Sequence, residues 1–373
     1  MKVVLYIGHH KVGSTALQSF FAQNWHSFAT RGILYPSVEA MGAARNLKSL
    51  IDGANPPRLQ STVVREPHNA LAFAMLSDAK GGEMPPYQQG LPELEEMWRY
   101  VDQQITMLKP ETLVLCSEVM SNFGKAAPEL IDVLKTKFKG AEIEIYCALR
   151  APDQYLASWH GQRLKLGHQV EPLSGKAALQ YRKGVHFDYA GMLRPWLAAF
   201  PQAKFHIRNY ADILVTGGAV EDFLAQTGLE CPDPSPIKGA ANPSLPYATY
   251  EIMRRANYAL SRDDQQKLRN HMTRERMRKR LPPNKDIELF GEDVRRKLYK
   301  SFAPIHQEIS DIAGVSEFFP GLESMLQTNP VAEADVVGEA LNKVNLTWER
   351  SLLPRSVRLY LWKCTYRQWF GRN

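Results

Sequence analysis

Three short stretches of this chain carry residue types that suit the binding and turnover of a phosphorylated ligand. The first, Tyr6-Ile7-Gly8-His9-His10-Lys11-Val12-Gly13-Ser14-Thr15-Ala16-Leu17, reads as strand, tight loop and helix. That order points free backbone N–H groups and the positive end of a helix at an anion, and Gly13 allows close backbone approach. Ser14 and Thr15 add hydroxyl donors. Gly8 and Gly13 keep the spacing of a nucleotide-triphosphate loop, but Ser14 stands where that loop places its lysine, and the lysine, Lys11, lies inside the turn. A simple connecting turn would use the same glycines.

The second stretch, Ile143 to Arg150, ends an apolar run with an arginine, and Ala151-Pro152-Asp153 opens a helix that carries Ser158. An arginine at the carboxyl end of a strand in an open α/β sheet is placed to meet a ligand, and its fork of donors suits a phosphate monoester. The competing reading is an arginine paired with a surface carboxylate and a serine bonded to its own helix. In the third stretch, Leu113-Val114-Leu115-Cys116-Ser117-Glu118, a glutamate ends an apolar strand where it can act as a general base. It could equally cap the helix that follows or pair with a basic neighbour. His10 and His160 are the other candidate bases.

These residues need a frame. Short apolar or β-branched runs (Val3 to Ile7, Ile33 to Tyr35, Leu113 to Cys116, Ile143 to Leu149 and Phe205 to Arg208) alternate with helical patterns, which predicts an α/β protein with a mostly parallel sheet flanked by helices. Leu17, Phe20, Phe21, Trp25 and Phe28 recur at helical spacing after Ser14. Further helices are expected over 93–108, 128–138, 152–166, 189–200 and 219–227. Residues 40–92, rich in Gly, Pro and Gln and containing Pro56-Pro57 and Pro85-Pro86, read as an insertion of loops and short helices. Five prolines within 232–246 separate an α/β core (about 1–230) from an Arg-rich helical region (about 247–326), the two together forming a main domain over 1–326. A polar stretch from Gln327 to Asp335 precedes a basic tail, so 327–373 is expected as a C-terminal extension.

The lysine-bearing turn K-x-G-[ST]-T resembles the 5'-phosphosulfate loop of sulfotransferases that use 3'-phosphoadenosine 5'-phosphosulfate (PAPS), and L-R-x-P-x-x-x-x-x-S resembles their 3'-phosphate motif, with Ala151 replacing the usual aspartate. Glu118 with Phe123 is similar to the strand-end base and following aromatic of heparan-type carbohydrate sulfotransferases. The run from His186 through Tyr210-Ala211-Asp212-Ile213-Leu214, and Asn242-Pro243-Ser244-Leu245, look like segments of bacterial members. The R-K-G-x-x-G segment over the adenine is missing, with Lys238-Gly239 a faint substitute, so the resemblance covers about residues 1–230. It implies a P-loop-like three-layer fold and transfer of a sulfuryl group to a hydroxyl or amine of a carbohydrate or lipid-linked acceptor. Lys11, Gly13, Ser14, Thr15, Ala16, Arg150 and Ser158 would bind PAPS, Lys11 would also assist the leaving group, and Glu118 would be the base. A sulfuryl group carries less negative charge than a phosphoryl group, so no metal is implied. A kinase or NTPase with a degenerate phosphate loop, and a non-catalytic nucleotide-binding module, are the alternatives.

Composition sets outer bounds. With 373 residues and 44% apolar side chains the chain can bury a large core, and an excess of 46 basic over 39 acidic residues favours anionic ligands without suggesting a nucleic-acid module. Cys116, Cys147, Cys231 and Cys364 lie far apart, which suggests neither a zinc site nor a disulfide framework. The run from Val3 to Ile7 is too short for a signal peptide or a membrane span, so a cytoplasmic protein is expected. The tail combines Leu352, Leu353, Val357, Leu359, Tyr360, Leu361, Trp362, Trp369 and Phe370 with Arg355, Arg358, Lys363, Arg367 and Arg372. It suits a helix on an anionic membrane surface, or a terminal helix docked on the core or on a second subunit.

Overall fold

The structure is a computed structural model and describes all residues except 57–60, 89, 185, 233, 236–242, 346–350 and 371–373, with only the backbone described at 86 and 367–370. Pro57, Lys238-Gly239, Asn242 and Arg372, and the side chains of Arg367, Trp369 and Phe370, therefore lie outside the described residues.

The protein is α/β, as the alternation predicts. Five strands, β1 (Lys2–Tyr6), β2 (Ile33–Leu34), β3 (Thr112–Cys116), β4 (Glu142–Leu149) and β5 (Lys204–Asn209), form one parallel sheet in the order β2-β3-β1-β4-β5. From Val3 onward the central strand is apolar because both of its faces are covered, and Val3, Val4 and Leu5 are fully buried. Register aligns the carboxyl ends, with Tyr6 level with Cys116 on one side and Tyr146 on the other. The chain leaving β1 returns on the β2-β3 side, whereas the chain leaving β4 goes on to β5. Those two strand ends thus flank the point where connections diverge, the usual ligand position in open parallel sheets.

The helical pattern after Ser14 is two helices, Ser14–Gln23 and Trp25–Ala29, because Asn24 leaves helical geometry and turns its side-chain amide onto the Phe20 carbonyl at 3.0 Å. Residues 40–92 depart further from expectation. They contain helices of 13 and 14 residues, Ala40–Asp52 and Pro67–Lys80. The first is capped by Glu39, whose carboxylate accepts the N–H of Met41 and Gly42, and the second starts on a proline and stops at a left-handed Gly81. Good helix formers between those signals outweighed the loop-like composition at the segment's edges.

Two compact units interleave in sequence. The first comprises Met1–Ala151, Asp188–Gly239 and Glu308–Phe318 and holds the sheet. The second comprises Pro152–Phe187, Ala240–Gln307 and Phe319–Asn373. Among the described residues its regular structure is helical apart from a two-residue parallel pairing of Ile287–Glu288 with Val331–Ala332, which places part of the polar 327–335 stretch in regular structure. Among the described residues no helix is long and apolar enough to cross a membrane.

Candidate functional site

The loop after β1 continues along β4, with the Ile7 N–H donating to the Tyr146 carbonyl at 2.9 Å and the His9 N–H to that of Ala148 at 3.0 Å. It then tightens. Lys11 adopts φ +63° and Gly13 φ +92°, so two left-handed residues bracket Val12 immediately before the helix. A non-glycine residue in that region costs about 1–2 kcal/mol, a strain that concentrates at ligand-binding turns. Among the described residues no acceptor takes the backbone N–H groups of Lys11, Val12, Gly13, Ser14 or Thr15, and no side chain caps the helix. Five consecutive donors at a helix start, folded through left-handed residues, are an arrangement that can hold an anion. The Lys11 ammonium, half-buried, makes no hydrogen bond or ion pair among the described residues. Burial lowers its pKa, opposed by the negative charge of Glu118.

Glu118 begins the short 3-10 turn after β3 and is 8% exposed. Its carboxylate accepts from Gln18 Nε2 at 3.1 Å and Asn69 Nδ2 at 3.3 Å, stands 3.7 Å from His10 Nδ1, and also accepts from the Ser14 hydroxyl and its own N–H. Burial pushes its pKa up, but the His10 contact, the backbone bond and the Ser14 bond outweigh that and hold it below the ordinary carboxylate range. Glu118 is therefore an ionised acceptor at neutral pH, buried near Lys11.

Arg150 follows β4. Its Nη1 reaches the Lys11 carbonyl at 3.5 Å, its guanidinium lies 5.2 Å from the Tyr210 ring centre, and its own carbonyl accepts from Tyr189 Oη at 2.8 Å. The fold thus gathers Lys11, Gly13, Ser14, Glu118 and Arg150 at the divergence point, with Thr15 and Ala16 exposed on the first helical turn. Ser158 sits half-buried on the helix Pro152–Lys165, in the second unit. His160 is in the same helix, 2% exposed and bonded through Nδ1 to Tyr181 Oη at 3.0 Å, and burial lowers its pKa to about 3. It is a neutral packing residue. His10 instead stands against Glu118.

Sequence reasoning missed the residues that hold Glu118. Gln18 lies one helical turn after Ser14, and both reach the same carboxylate, so the i, i+4 spacing was the available signal. Asn69 carried no such signal. Its helix, Pro67–Lys80, brings it to β3, where Oδ1 accepts from Ser117 Oγ at 2.7 Å and Gln18 Nε2 at 3.1 Å. Its Nδ2 donates to Glu66 Oε2 at 3.1 Å as well as to Glu118. Next to it, His68 accepts the Cys116 N–H on Nδ1 at 3.0 Å and donates from Nε2 to the Pro36 carbonyl at 3.0 Å. Burial lowers the His68 pKa to about 3, fixing that neutral tautomer. Among the described residues no group of three or more His, Cys, Asp or Glu is arranged to hold a metal.

The chain is 30% identical over 165 residues to an uncharacterized protein of Archaeoglobus fulgidus, a match that takes in 43% of each chain and so less than half of that relative's length. No family model and no solved structure matches the chain.

Proposed function

We propose that this protein is a sulfotransferase that moves a sulfuryl group from PAPS to a hydroxyl or amine of a carbohydrate or lipid-linked acceptor, within a phosphate-loop type of α/β fold. One observation carries the reading: among the described residues, five backbone N–H donors of the loop from Lys11 to Thr15 have no acceptor, and the loop, with Lys11, lies beside a buried, ionised carboxylate. The chemistry fits the residues. The N–H groups from Lys11 to Thr15 would hold the 5'-phosphosulfate, Arg150 would grip the 3'-phosphate, and Glu118 would face the acceptor. The acceptor oxygen attacks sulfur while Glu118 takes its proton. The new O–S bond forms as the bond from sulfur to the bridging phosphate oxygen breaks, and the electron pair leaves on adenosine 3',5'-bisphosphate (PAP), next to the Lys11 ammonium. Positioning and fixed charge supply the acceleration, as in phosphoryl transfer.

The test begins with thermal stabilisation by PAP, ATP with magnesium, and GTP with magnesium, since a ligand at 100 times its dissociation constant stabilises a fold by about 2.7 kcal/mol. PAP alone should raise the melting temperature, and Arg150→Ala should weaken that response. In radiolabelled transfer to a panel of sugar and lipid-linked alcohols, Lys11→Ala and Glu118→Gln should lose turnover while still binding PAP. Stabilisation by ATP or GTP but not by PAP would overturn the assignment in favour of a nucleotide triphosphatase or kinase.

A further inference from the structure

The last helix of the second unit, Arg355–Phe370, presents two different faces. Val357, Tyr360, Leu361 and Cys364 are at most 8% exposed, and Tyr360 Oη donates to the Ile252 carbonyl at 2.6 Å. Ser356 Oγ donates to Asp264 Oδ2 at 2.7 Å, so the helix is fixed to its own unit. The opposite face carries Arg355, Arg358, Leu359, Trp362, Lys363 and Tyr366, all exposed. Their spacing of three and four residues aligns them in one stripe. Trp362 is 54% and Tyr366 52% exposed, and their rings stack at 5.7 Å.

A grouped set of large exposed apolar side chains marks an interaction surface rather than ordinary scatter. Charge decides what covers it. No Asp or Glu occurs from Arg350 to Asn373, so every formal charge on this helix is positive. In a chain of net charge +7, two copies of the stripe would repel each other. The matching surface is negatively charged and apolar just beneath, where indole and phenol rings sit at the boundary and Lys and Arg extend to the head groups. We infer that this face lies on an anionic lipid bilayer, with the helix in the plane of the interface. The inference is independent of the nucleotide reading.

Co-sedimentation of the full chain with phosphatidylcholine vesicles, with and without phosphatidylglycerol, tests it. Binding is expected only to the anionic vesicles and should weaken with salt. Leu359→Ala with Trp362→Ala should lower the partition coefficient by at least about tenfold, the change expected when two large apolar side chains are withdrawn. Changing Arg355, Arg358 and Lys363 to Gln should lower it by about fivefold per charge. The altered residues are exposed, so unchanged circular dichroism is expected. Trp362→Phe provides a milder variant, which should bind but lose part of the tryptophan quenching by brominated lipid. Failure of the wild-type chain to bind anionic vesicles at low salt, or binding indifferent to both sets of changes, would overturn the inference. Self-association abolished by Trp362→Ala without vesicle binding would assign the face to a second copy instead.

Discussion

Gly13→Ala is the sharpest probe of the loop. Gly13 has φ +92° and ψ 7°, and a Cβ built there would lie 2.5 Å from the Cβ of Ala219. Carbon atoms in contact normally stand about 3.5–4.0 Å apart, so the overlap is about 1 Å or more. Rotation cannot relieve it, because alanine has no flexible end. Two costs therefore add: about 1–2 kcal/mol for a left-handed L-residue and about 1–3 kcal/mol for overpacking. Ala219→Gly removes the struck atom and isolates the second cost. In a four-protein cycle by urea denaturation, Gly13→Ala should lose about 2–5 kcal/mol, and Ala219→Gly in that background should restore about 1–3 kcal/mol although it is neutral or mildly destabilising alone. PAP affinity should fall in Gly13→Ala and recover in part in the double variant, because the backbone donors move with the loop. Wild-type stability in Gly13→Ala, or no recovery on adding Ala219→Gly, would refute the placement of the loop against the helix Ala219–Thr227.

Asn69→Leu removes the amide shared by Glu66, Glu118, Gln18 and Ser117, and should cost about 3–5 kcal/mol because it strands buried carboxylates and donors. A loss within experimental error in urea titration would show that the network does not depend on it. In the second unit, burial and then the nearby Glu251 raise the Glu333 pKa from 4.5 to about 7. Below 4.5 the carboxyl is protonated in both folded and unfolded chains and costs nothing; as pH rises toward about 7 the folded chain must retain a proton or carry the charge, and stability falls. Glu333→Gln should thus be neutral at acid pH and stabilising above about pH 7, by at most about 3 kcal/mol. Thermal melts across that range check it, and a gain confined to acid pH would reverse the sign.

All five expected strands occur in the sheet; β1 and β3 were the most legible, because strands covered on both faces are nearly apolar throughout and so read as short continuous runs. The strand, turn and helix order of the first loop was legible because the strand, Gly13 and the helix start are local features. What failed was non-local. The helix Pro67–Lys80 looks like part of a loop-rich insertion until its docking on β3 is known, and only that docking explains why Asn69 and His68 are polar. The two units were illegible in the same way, since their segments alternate along the chain and leave no single composition break at a boundary. Polar residues buried by distant elements have no periodicity of their own to betray them.

The pKa shifts at the loop and the strand end, both downward and each set by opposing causes, also bear on how such a site would work. Lys11 is lowered by burial and raised by Glu118, while Glu118 is raised by burial and lowered by His10, Ser14 and its own backbone. An anion seated on the loop donors would add negative charge beside both. It would raise the Lys11 pKa, securing the ammonium that the leaving group needs, and would raise that of Glu118 from its depressed value toward the range where a carboxylate is a more effective base. In the proposed reaction the donor nucleotide would therefore strengthen the base that activates its acceptor.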